Sequence, residues 1–360
     1  MSRIRRYPMV RTKKNNSGSI SIEDVARVSG VSVTTVSRVI NKHPSVKAKN
    51  RAKVLNAIKQ LNFRPSIFAQ RLATGRSNVV ALVIPRYEGI FYSFYALELL
   101  RGIGTLCSAL KLDLLLHLTE AHSPLNIRGV GGIIFADIIG NRSQLDEVMT
   151  SGTPAVVIND YIEEPALSCV AIDNAGGAEE AVSYLLRLGH RRIAHISGDL
   201  VTQAAAWRLE GYKRALQKMD VPVDQELILK TDYSRGQARF AAEKLFGMSE
   251  EVTAVFVASD SMALEVMAVA REMGKNIPQD ISIVGFDDNP SGLYGPIALT
   301  TVRQPLIKMA EEGVKELSRL MNLQKKNQSD CDAPRAEDTK RILLPTELVI
   351  RESCRPLPSA

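Results

Sequence analysis

The chain has 360 residues, of which 45% are hydrophobic and 24% are charged. Its composition is that of a globular protein, and its length exceeds that of one compact core, so two or three domains are expected. No stretch approaches the eighteen consecutive apolar residues of a membrane span, and no apolar run typical of a signal peptide follows the basic start. We therefore predict a cytoplasmic protein with no membrane partner.

Basic residues are concentrated at one end of the chain. Residues 1–77 contain seventeen Lys and Arg but only two acidic residues, whereas the remaining 283 residues have a net charge of −8. A basic segment of this strength favours a polyanion, and it lacks the bulky apolar stripe that an interfacial membrane helix needs. We predict that this end binds nucleic acid. Residues 1–20 are expected to be a disordered basic arm that contacts phosphates or, equally, an extension without a role.

Motifs for catalysis, metals and cofactors are missing from the sequence. The four cysteines are Cys107, Cys169, Cys331 and Cys354. They are scattered and form no CxxC pair, which favours neither a disulfide framework nor a zinc site. There is no HExxH, no P-loop and no ordered Ser-His-Asp set, and His190 and His195 are interpreted as core or surface residues on a strand. We predict no catalytic residue, no metal and no cofactor, and hence no enzyme.

Residues 21–41, SIEDVARVSGVSVTTVSRVIN, are predicted to form two short helices joined by a glycine turn. Ser21 can cap the first helix, and Asp24, three residues on, can reach back to the N–H of the cap. Gly30 suits the turn because a residue without Cβ adopts the left-handed conformation at no steric cost. Ser32 can cap the second helix. This layout is that of a helix-turn-helix with its recognition helix second.

The second helix has an apolar face and a polar face. Val36, Val39 and Ile40 face inward at helical spacing. The opposite face carries short side chains, which suit close approach to base edges and phosphates in a major groove. The residues predicted to contact DNA from this segment are Ser32, Val33, Thr34, Thr35, Ser37, Arg38 and Asn41.

Within this segment, DVARVSGVSVTTVSRVIN resembles the signature of the lactose-repressor and galactose-repressor family of bacterial transcription regulators. The match spans about eighteen consecutive positions, which makes it much more specific than a lone capping box. The resemblance implies an all-α helix-turn-helix headpiece at residues 21–63. The alternative is a helical hairpin that only packs on a domain.

A third helix over residues 46–63 completes the headpiece. Its cap is expected to be weak, because Lys47 stands where the family places Ser or Thr. We expect Val54 and Leu55 of this helix, and Val28 of the first helix, to face the core.

Residues 64–77, RPSIFAQRLATGRS, resemble the family's hinge helix, which folds when two copies meet in the minor groove. Alone, this segment is too short to be a stable helix in water. Ser66 can cap it, and Leu72 matches the apolar wedge that enters between base steps and kinks the duplex. Ser66, Leu72 and Ala73 are therefore predicted DNA contacts. The alternative is a plain linker.

From Val79 onward, short apolar runs alternate with amphipathic segments, which is typical of parallel sheets buried between helices. The units are too many for one sheet, so we predict an α/β core of two doubly wound lobes with a ligand cleft at the carboxyl ends of their strands. The resemblance implies the same, a periplasmic-binding-protein-like type I core that dimerises, here over residues 78–353 with a tail at 354–360. The chain is expected to cross between the lobes near Asp173, near Arg303 and within residues 322–340.

The resemblance also supplies candidate effector contacts. Arg208 matches the Arg of the family's R-x-x-G-[FYW] element, and Asp287 matches the first Asp of its G-[FY]-D-[DN] element. Together they can bind vicinal hydroxyls. Tyr233 corresponds to an aromatic residue that stacks on a ring. Phe91 and Tyr92 belong to IFYSFY, which replaces the family's usual N-P-F-F-type string.

Plainer roles are open for the same residues. Arg208 could pair with Glu210 at the surface, Asp287 could cap the following turn, and Asp260 is interpreted as a helix N-cap. Region 86–130 departs from the family's pattern, so that the second helix of the first lobe is expected to be a loop.

These features predict a homodimeric, sequence-specific regulator, most simply a repressor, that binds a near-palindromic double-stranded operator. Its effector is a small molecule, a sugar or alternatively a nucleobase. An enzyme with a regulatory headpiece would need a phosphate-binding loop or a catalytic base, and a transporter's binding module would need an export signal. A regulator that senses a partner protein stays open, as do inducer against corepressor and dimer against tetramer.

Overall fold

The computed structural model describes residues 20–40, 43–63, 77–86, 90–120, 123–125, 129–163, 167–326 and 336–358. The chain divides into two compact units, residues 1–77 and 78–360. All but Ile20 of the predicted basic arm and all but Ser77 of the predicted hinge lie outside the described residues. In the part of the chain that the structure describes, no helix is long and apolar enough to cross a membrane.

The first unit contains three helices around a small apolar core. They are α1 (Ile22–Ser29), α2 (Val33–Ile40) and α3 (Ala48–Leu61). Each helix contributes a fully buried valine to one cluster, namely Val25, Val36 and Val54. A headpiece with three helices is therefore confirmed.

Two residues of the headpiece expected in the core are at the surface instead. Val28 of α1 is 43% exposed and Leu55 of α3 is 53% exposed. On α3 the core position belongs to Ala57, which is 2% exposed. The face that packs is thus defined by Val54 and Ala57, three residues apart, and Leu55 lies one helical step off it.

The second unit begins with a parallel α/β lobe. Its elements in chain order are β1 (Val79–Pro85), α4 (Phe94–Ala109), β2 (Asp113–Thr119), β3 (Gly132–Ala136), α5 (Arg142–Ser151), β4 (Ala155–Ile158) and β5 (Ser168–Ile172). The described residues between β2 and β3, which are 120, 123–125 and 129–131, contain no helix, as expected from the departure of this region from the family's pattern.

A second lobe of the same design follows. Its elements are α6 (Asn174–Arg187), β6 (Ile193–Ser197), α7 (Gln203–Lys218), β7 (Ile228–Lys230), α8 (Arg235–Phe246), β8 (Ala254–Val257), α9 (Asp260–Glu272), β9 (Ser282–Asp287) and β10 (Thr300–Arg303). The chain then continues as α10 (Leu306–Lys326), β11 (Arg341–Leu344) and β12 (Glu347–Val349). Short 3-10 turns lie at Ile90–Tyr92, Gln225–Leu227, Pro290–Leu293 and Ala336–Asp338.

Each lobe contains one six-stranded sheet. The strand order is β11-β5-β4-β3-β1-β2 in the first lobe and β12-β10-β9-β8-β6-β7 in the second. All pairs are parallel except that between β10 and the edge strand β12. The predicted class of two doubly wound, parallel lobes is confirmed. Strand order reverses between β1 and β3 and between β6 and β8, where such sheets bind ligands beyond the carboxyl ends of their strands.

Both faces of the first sheet are buried. On β1, Val80, Leu82 and Ile84 pack in a cluster with α4 and α10, whereas Ala81 and Val83 pack on the other face in a cluster with α5. This alternation follows from the two-residue period of a strand. Because helices cover both faces, the strand is apolar throughout, which is why the sequence shows continuous apolar runs.

Two of the three predicted crossings between lobes are confirmed and one is wrong. The chain passes from β5 of the first sheet to α6 of the second lobe at Asp173, and from β10 back to α10 of the first lobe just after Arg303. The crossing predicted within residues 322–340 is wrong, because the described elements on either side, α10 and β11, belong to the same lobe. The third crossing is the two-residue link Pro345-Thr346, since β11 and β12 pair in different sheets.

Candidate nucleic-acid interface and effector cleft

The caps of the helix-turn-helix form as predicted. The Asp24 N–H donates to Ser21 Oγ over 3.3 Å, and the Ser21 N–H donates to Asp24 Oδ2 over 3.0 Å. Gly30 has φ +67°, and its N–H donates to the Ala26 carbonyl over 2.9 Å. The Thr35 N–H donates to Ser32 Oγ over 3.2 Å, so that Ser32 begins α2. Local hydrogen bonds therefore fix where both helices start and where the chain turns.

The outer face of α2 is open to solvent. Among its predicted DNA contacts, the exposed residues are Ser32, Val33, Thr34 and Arg38, and the half-buried residues are Thr35 and Ser37. Val36 and Val39 are buried on the opposite face. The remaining predicted contacts, Asn41, Ser66, Leu72 and Ala73, lie outside the described residues. The described face is thus free to approach a groove.

The prediction that α3 has a weak cap is confirmed. Lys47 makes no side-chain capping bond, which leaves the first N–H groups of α3 beside an exposed cation. Lys49 and Lys53 on the same helix are exposed as well. Positive side chains at the amino end of a helix favour phosphate oxygens as partners.

Arg208 lies inside the second lobe and not at its surface. It is 4% exposed on α7, where its Nε donates to Asn174 Oδ1 over 2.8 Å and its Nη1 donates to the Ala258 carbonyl. Its guanidinium carbon lies 3.8 Å from the centre of the Phe286 ring. Glu210 pairs with Arg214 instead, so the alternative of a surface pair with Arg208 is wrong.

Asp287 ends β9 and points its carboxylate toward the same region. Its Oδ1 accepts from Gln304 Nε2, and its Oδ2 accepts from the Asp260 N–H over 3.3 Å. Removal from water raises the pKa of Asp287 to about 6, which the Arg208 guanidinium opposes. Asp287 and Asp288 have φ values of +137° and +57°, a backbone conformation that is costly for residues other than glycine. Strain of this kind is concentrated at functional sites.

Asp260 is not the helix N-cap that the sequence suggested. Ser259 caps α9, and Asp260 is its first residue, fully buried. The Asp260 carboxylate accepts from Thr301 Oγ1 over 2.6 Å and from the Asn289 N–H over 2.7 Å. Burial and the neighbouring Asp287 carboxylate raise its pKa. Asp260 therefore joins the ends of β9 and β10 behind Asp287.

Tyr233 reaches the cleft from the loop before α8. The end of its ring lies against Gly198, where any Cβ would overlap it, so glycine is required at that position. Loss of hydration raises the pKa of the phenol, whereas Arg208 and a hydrogen bond with the Thr202 side chain lower it. The carboxylates of Asp287 and of Asp137 in the first lobe raise this pKa further.

Two residues at the ends of strands in the first lobe were missed by sequence analysis. Asp137 follows β3 and Asn159 follows β4, with φ values of +62° and +76°. Asn159 Nδ2 donates to Asp137 Oδ1, and Asn159 and Tyr95 both lower the pKa of Asp137. Loss of hydration and the like charge of Asp160 raise the pKa of Asp137 to about 7. Both positions directly follow a buried strand, a signal that could have identified them.

The predicted contacts Phe91 and Tyr92 lie in a 3-10 turn after β1. Phe91 is 56% exposed and Tyr92 is 92% exposed. The structure does not bring them into the cluster of Arg208, Tyr233 and Asp287. They stay predicted contacts, and Tyr95 at the start of α4 acts on Asp137 instead.

Gln203, at the start of α7 in the second lobe, is hydrogen-bonded to Tyr161, which follows β4 in the first lobe. Gln203 Oε1 accepts from the Tyr161 N–H over 2.6 Å, and Gln203 Nε2 donates to the Tyr161 carbonyl over 3.0 Å. The Tyr161 and Trp207 rings lie 6.1 Å apart. We call these three residues the interlobe latch.

A stack of rings supports Arg208 from inside the second lobe. His195 lies between Tyr212 and Phe256, with ring centroids 5.3 and 4.9 Å away, and Phe256 contacts Phe286 edge-on at 6.4 Å. His195 Nδ1 donates to the Phe256 carbonyl over 3.0 Å. His195 is thus a core residue of β6, and His190 precedes that strand, buried between Thr253 and Arg355. In the described residues, no group of three or more His, Cys, Asp or Glu is placed to hold a metal ion.

The burial of His195 predicts a loss of stability in acid. Burial lowers its pKa to about 4, whereas the unfolded chain titrates near 6.5, so the unfolded state binds more protons between these pH values. From pH 7.5 to pH 5, the free energy of unfolding should fall by about 2 kcal/mol through this group. Buried carboxyls with raised pKa values have the opposite sign, so the test is a difference between variants. Urea unfolding of wild type, His195→Phe and His195→Gln at both pH values measures it.

Between pH 7.5 and pH 5, both variants should lose less stability than wild type, and each by the same difference. Their stabilities at pH 7.5 will differ because their packing differs. If wild type and both variants lose stability in parallel, His195 is not the group that titrates.

Two sequence families match the chain. Residues 21–66 match the family described as "Bacterial regulatory proteins, lacI family", and residues 182–354 match a "Periplasmic binding protein-like domain". The first match covers the helix-turn-helix, and the second extends from α6 to the end of β12 and beyond.

Known proteins match along almost the whole chain. Catabolite control protein A of Priestia megaterium is 34% identical over 325 residues, which cover 88% of this chain and 97% of that protein. The HTH-type transcriptional regulator DegA of Bacillus subtilis (strain 168) is 33% identical over 94% of this chain and 98% of its own. One is named as a control protein and the other as a transcriptional regulator, and neither is named as an enzyme, as the sequence predicted.

Solved structures of transcription regulators also match the chain. A lac repressor dimer bound to operator and the anti-inducer ONPF has a TM-score of 0.77 at 25% identity, covering 94% of this chain and 99% of that one. A complex of the transcriptional regulator CelR with cellobiose has a TM-score of 0.67 at 29% identity, covering 93% and 99%. Fold and site define a bacterial DNA-binding transcription regulator with a periplasmic-binding-protein-like core. The chain belongs to the lacI family of bacterial regulatory proteins.

Proposed function

We propose that the chain is a homodimeric repressor of transcription that binds a near-palindromic operator and responds to a sugar bound between its two lobes. The observation that carries this proposal is that Tyr233 and Asp287 of the second lobe and Asp137 of the first lie at or just after the carboxyl ends of strands, with Arg208 against the Ala258 carbonyl and the Phe286 ring. The exposed polar face of α2 supports the DNA-binding part of the proposal. A palindrome contains two copies of one half-site, and a dimer would read them with two such faces.

A sugar is favoured over a nucleobase by the chemistry of this cleft. It is lined by carboxylates, amides and one guanidinium, which exchange hydrogen bonds with hydroxyl groups. Phe91 and Tyr92, the aromatic residues predicted to meet the ligand from the first lobe, are both exposed, which supports stacking on a base less than hydrogen bonding to hydroxyls. The relative whose structure contains cellobiose supports the same choice.

The mechanism follows from where the ligand binds. A sugar that touches both lobes favours the arrangement in which they are close, and it can shift that equilibrium only by its difference in affinity for the two arrangements. In a dimer, movement of the first lobes changes whether the paired segments at residues 64–77 can form their helices on DNA. Operator affinity and sugar affinity are then linked reciprocally.

A thermal-shift screen of neutral sugars and nucleobases against the full chain tests this proposal, followed by operator binding with each hit. At a hundredfold excess over Kd, a true effector stabilises the protein by about 2.7 kcal/mol. We expect a sugar to raise the Tm and to change operator affinity. A nucleobase that does both, with no active sugar, would overturn the assignment of the effector.

The interlobe latch is expected to favour the closed arrangement of the lobes even when no ligand is bound. Gln203→Ala removes two hydrogen bonds to the Tyr161 backbone, together about 1–3 kcal/mol, so the open arrangement should gain roughly tenfold in population. Small-angle scattering of the ligand-free protein should show a larger radius of gyration. Gln217→Ala, an exposed glutamine on the same helix, is the matched control. Identical scattering from both variants and wild type would show that the latch has no role in closure.

A further inference from the structure

Two of the crossings between the lobes contain a buried amide side chain. Asn174 is the first residue of α6, directly after the crossing at Asp173, and it is 1% exposed. Gln304 lies between β10 and α10, directly after Arg303, and it is 8% exposed. We call these two side chains the crossing amides. A buried amide is costly unless it is hydrogen-bonded, so its partners show what each crossing is tied to.

Each crossing amide is bonded to a charged candidate contact of the effector. Asn174 Oδ1 accepts from Arg208 Nε over 2.8 Å, and Gln304 Nε2 donates to Asp287 Oδ1. An amide can do both, since it has an acceptor oxygen and a donor nitrogen. The orientation of the two charged groups therefore depends on side chains that lie at the crossings.

The same two residues are also bonded to the first lobe. Asn174 Nδ2 donates over 3.2 Å to the carbonyl of Ile172, the last residue of β5. The Gln304 carbonyl accepts over 2.9 Å from the N–H of Leu306, the first residue of α10. Hydrogen bonds thus run from each charged contact, through its crossing amide, to an element of the first lobe.

Both bonds to the first lobe close over a single residue of the chain. The bond from Asn174 to β5 spans Asp173, and the bond from Gln304 to α10 spans Pro305. When two lobes rotate, a few backbone torsions at the connections between them absorb the change. Hydrogen bonds weaken steeply as their angle departs from linearity, so rotation at these residues would disturb both bonds.

The crossing amides leave both charged groups able to bind an effector. The bonds of Arg208 to described residues use Nε and one hydrogen of Nη1, which leaves the second Nη1 hydrogen and both Nη2 hydrogens. Asp287 accepts one bond on each oxygen, and each oxygen has a second lone pair. An effector and the crossing amides can therefore be bonded to these groups at the same time.

We propose, building on the proposed effector site, that Asn174 and Gln304 are positioning residues that couple this site to the movement of the lobes. They orient Arg208 and Asp287 and tie that orientation to the backbone at two crossings. An effector held by the charged groups then favours one arrangement of the lobes. Without the crossing amides, an effector still binds, but it changes operator affinity less.

Two variants break these connections with little change in shape. Gln304→Met keeps the length of the side chain and removes the donor to Asp287. Asn174→Asp keeps an acceptor for Arg208 and removes the donor to the Ile172 carbonyl, and a carboxylate is favourable at the start of a helix. A loss of coupling in Asn174→Asp therefore cannot come from a missing partner of Arg208.

Gln144→Met is the matched control. Gln144 is 1% exposed and donates over 2.7 Å to the Ser123 carbonyl, so its amide bond lies within the first lobe. This variant should lose thermal stability as a structural bond does, but it should keep the full effect of the effector on operator affinity.

The measurement is operator affinity of the full chain by anisotropy, with and without glucose, ribose, cellobiose, adenine or guanine. The operator is one selected from a random duplex pool. In both crossing variants, the change in operator affinity caused by the active compound should shrink by about two- to tenfold, which is the effect of one hydrogen bond. Calorimetry should show that the compound itself binds within about threefold of wild type.

A second measurement needs no effector. Trp207 is the single tryptophan of the chain, and its ring lies 6.1 Å from that of Tyr161 in the first lobe. Loss of a bond at a crossing should favour separation of the lobes, so acrylamide should quench Trp207 more strongly in both crossing variants than in wild type or Gln144→Met.

The outcomes separate this inference from the proposed function. If a sugar acts on wild type and both crossing variants keep its full effect, the coupling role is overturned, whereas a sugar effector stands. If only adenine or guanine acts, the effector class fails, and the effect of that base on the variants decides the coupling role. If none of the compounds acts, equal quenching in wild type and both crossing variants overturns the coupling role, and stronger quenching in the variants supports it.

Discussion

Replacing Arg38 or Thr34 by alanine is expected to abolish discrimination between operator and random DNA while most salt-dependent, non-specific binding remains. Both side chains are exposed on the outer face of α2, where they can reach base edges. Each lost base contact costs about 1–3 kcal/mol, and a dimer loses it twice, so about 2–6 kcal/mol of specific binding should disappear. Fluorescence anisotropy on a selected operator and on a scrambled duplex, each at two salt concentrations, measures specific and non-specific binding separately.

Arg27→Ala is the matched control for Arg38→Ala. Arg27 is an exposed arginine of the neighbouring eight-residue helix α1, where it pairs with Asp24. Removing it deletes the same charge without touching the recognition face, so it should weaken binding to both duplexes alike. Equal losses on the two duplexes for Arg38→Ala would show that Arg38 contacts only phosphates.

Arg208→Ala and Asp287→Ala should leave operator binding intact but remove its response to the effector. Coupling between two sites is typically 1–3 kcal/mol and exists only if the ligand contacts the two arrangements of the lobes differently. Asp287 ends β9 on the edge of the sheet where such folds bind ligands, and Arg208 lies against the Phe286 ring beside it, so their loss should remove that difference. The measurement is operator affinity with and without saturating sugar, for each variant.

Milder and control variants keep this test interpretable. Arg208→Ala also leaves Asn174 and the Ala258 carbonyl without their donor, so Arg208→Lys and Asp287→Asn should be measured beside the alanine variants. Arg214→Ala removes an exposed arginine of the same helix and should respond normally. A normal effector response in both Arg208 variants would place the effector site elsewhere.

Signals that act over a few residues were readable from the sequence. The capping box of Ser21 and Asp24, the turn at Gly30 and the cap at Ser32 all form as predicted, because each bond joins residues at most four apart. The faces of the longer helix α3 were less readable. Leu55 is exposed and Ala57 is buried there, since contact with the other helices, and not hydrophobicity alone, selects the packed face.

Signals that depend on distant pairing were not readable. Residues 341–349 look like one closing strand, yet β11 pairs with β5 and β12 pairs with β10 in the other sheet. Nothing local marks the two-residue link between them as a crossing. The polar stretch at 322–340 was mistaken for that crossing because polarity indicates exposure and not which lobe the chain enters next.

The residues of the candidate site also divide into those that a local motif marked and those that it did not. Arg208, Tyr233 and Asp287 were found through a family motif, and the structure brings them together. Asp137 and Asn159 were missed because no family motif was assigned to the ends of β3 and β4, although both lie outside the departing region 86–130. Gln304 was missed because β10, which it follows, was not predicted to be a strand. The position of a polar residue at the end of a buried strand would have been the better guide to that half of the cleft.

The central claim is that the exposed face of α2 reads a two-fold operator. Selection of binding sites by the full chain from a random duplex pool tests it most directly. We predict enrichment of a near-palindrome with two related half-sites, and the loss of that enrichment when the selection is repeated with Arg38→Ala. Recovery of no common sequence, or of the same sequence with both proteins, would contradict the account.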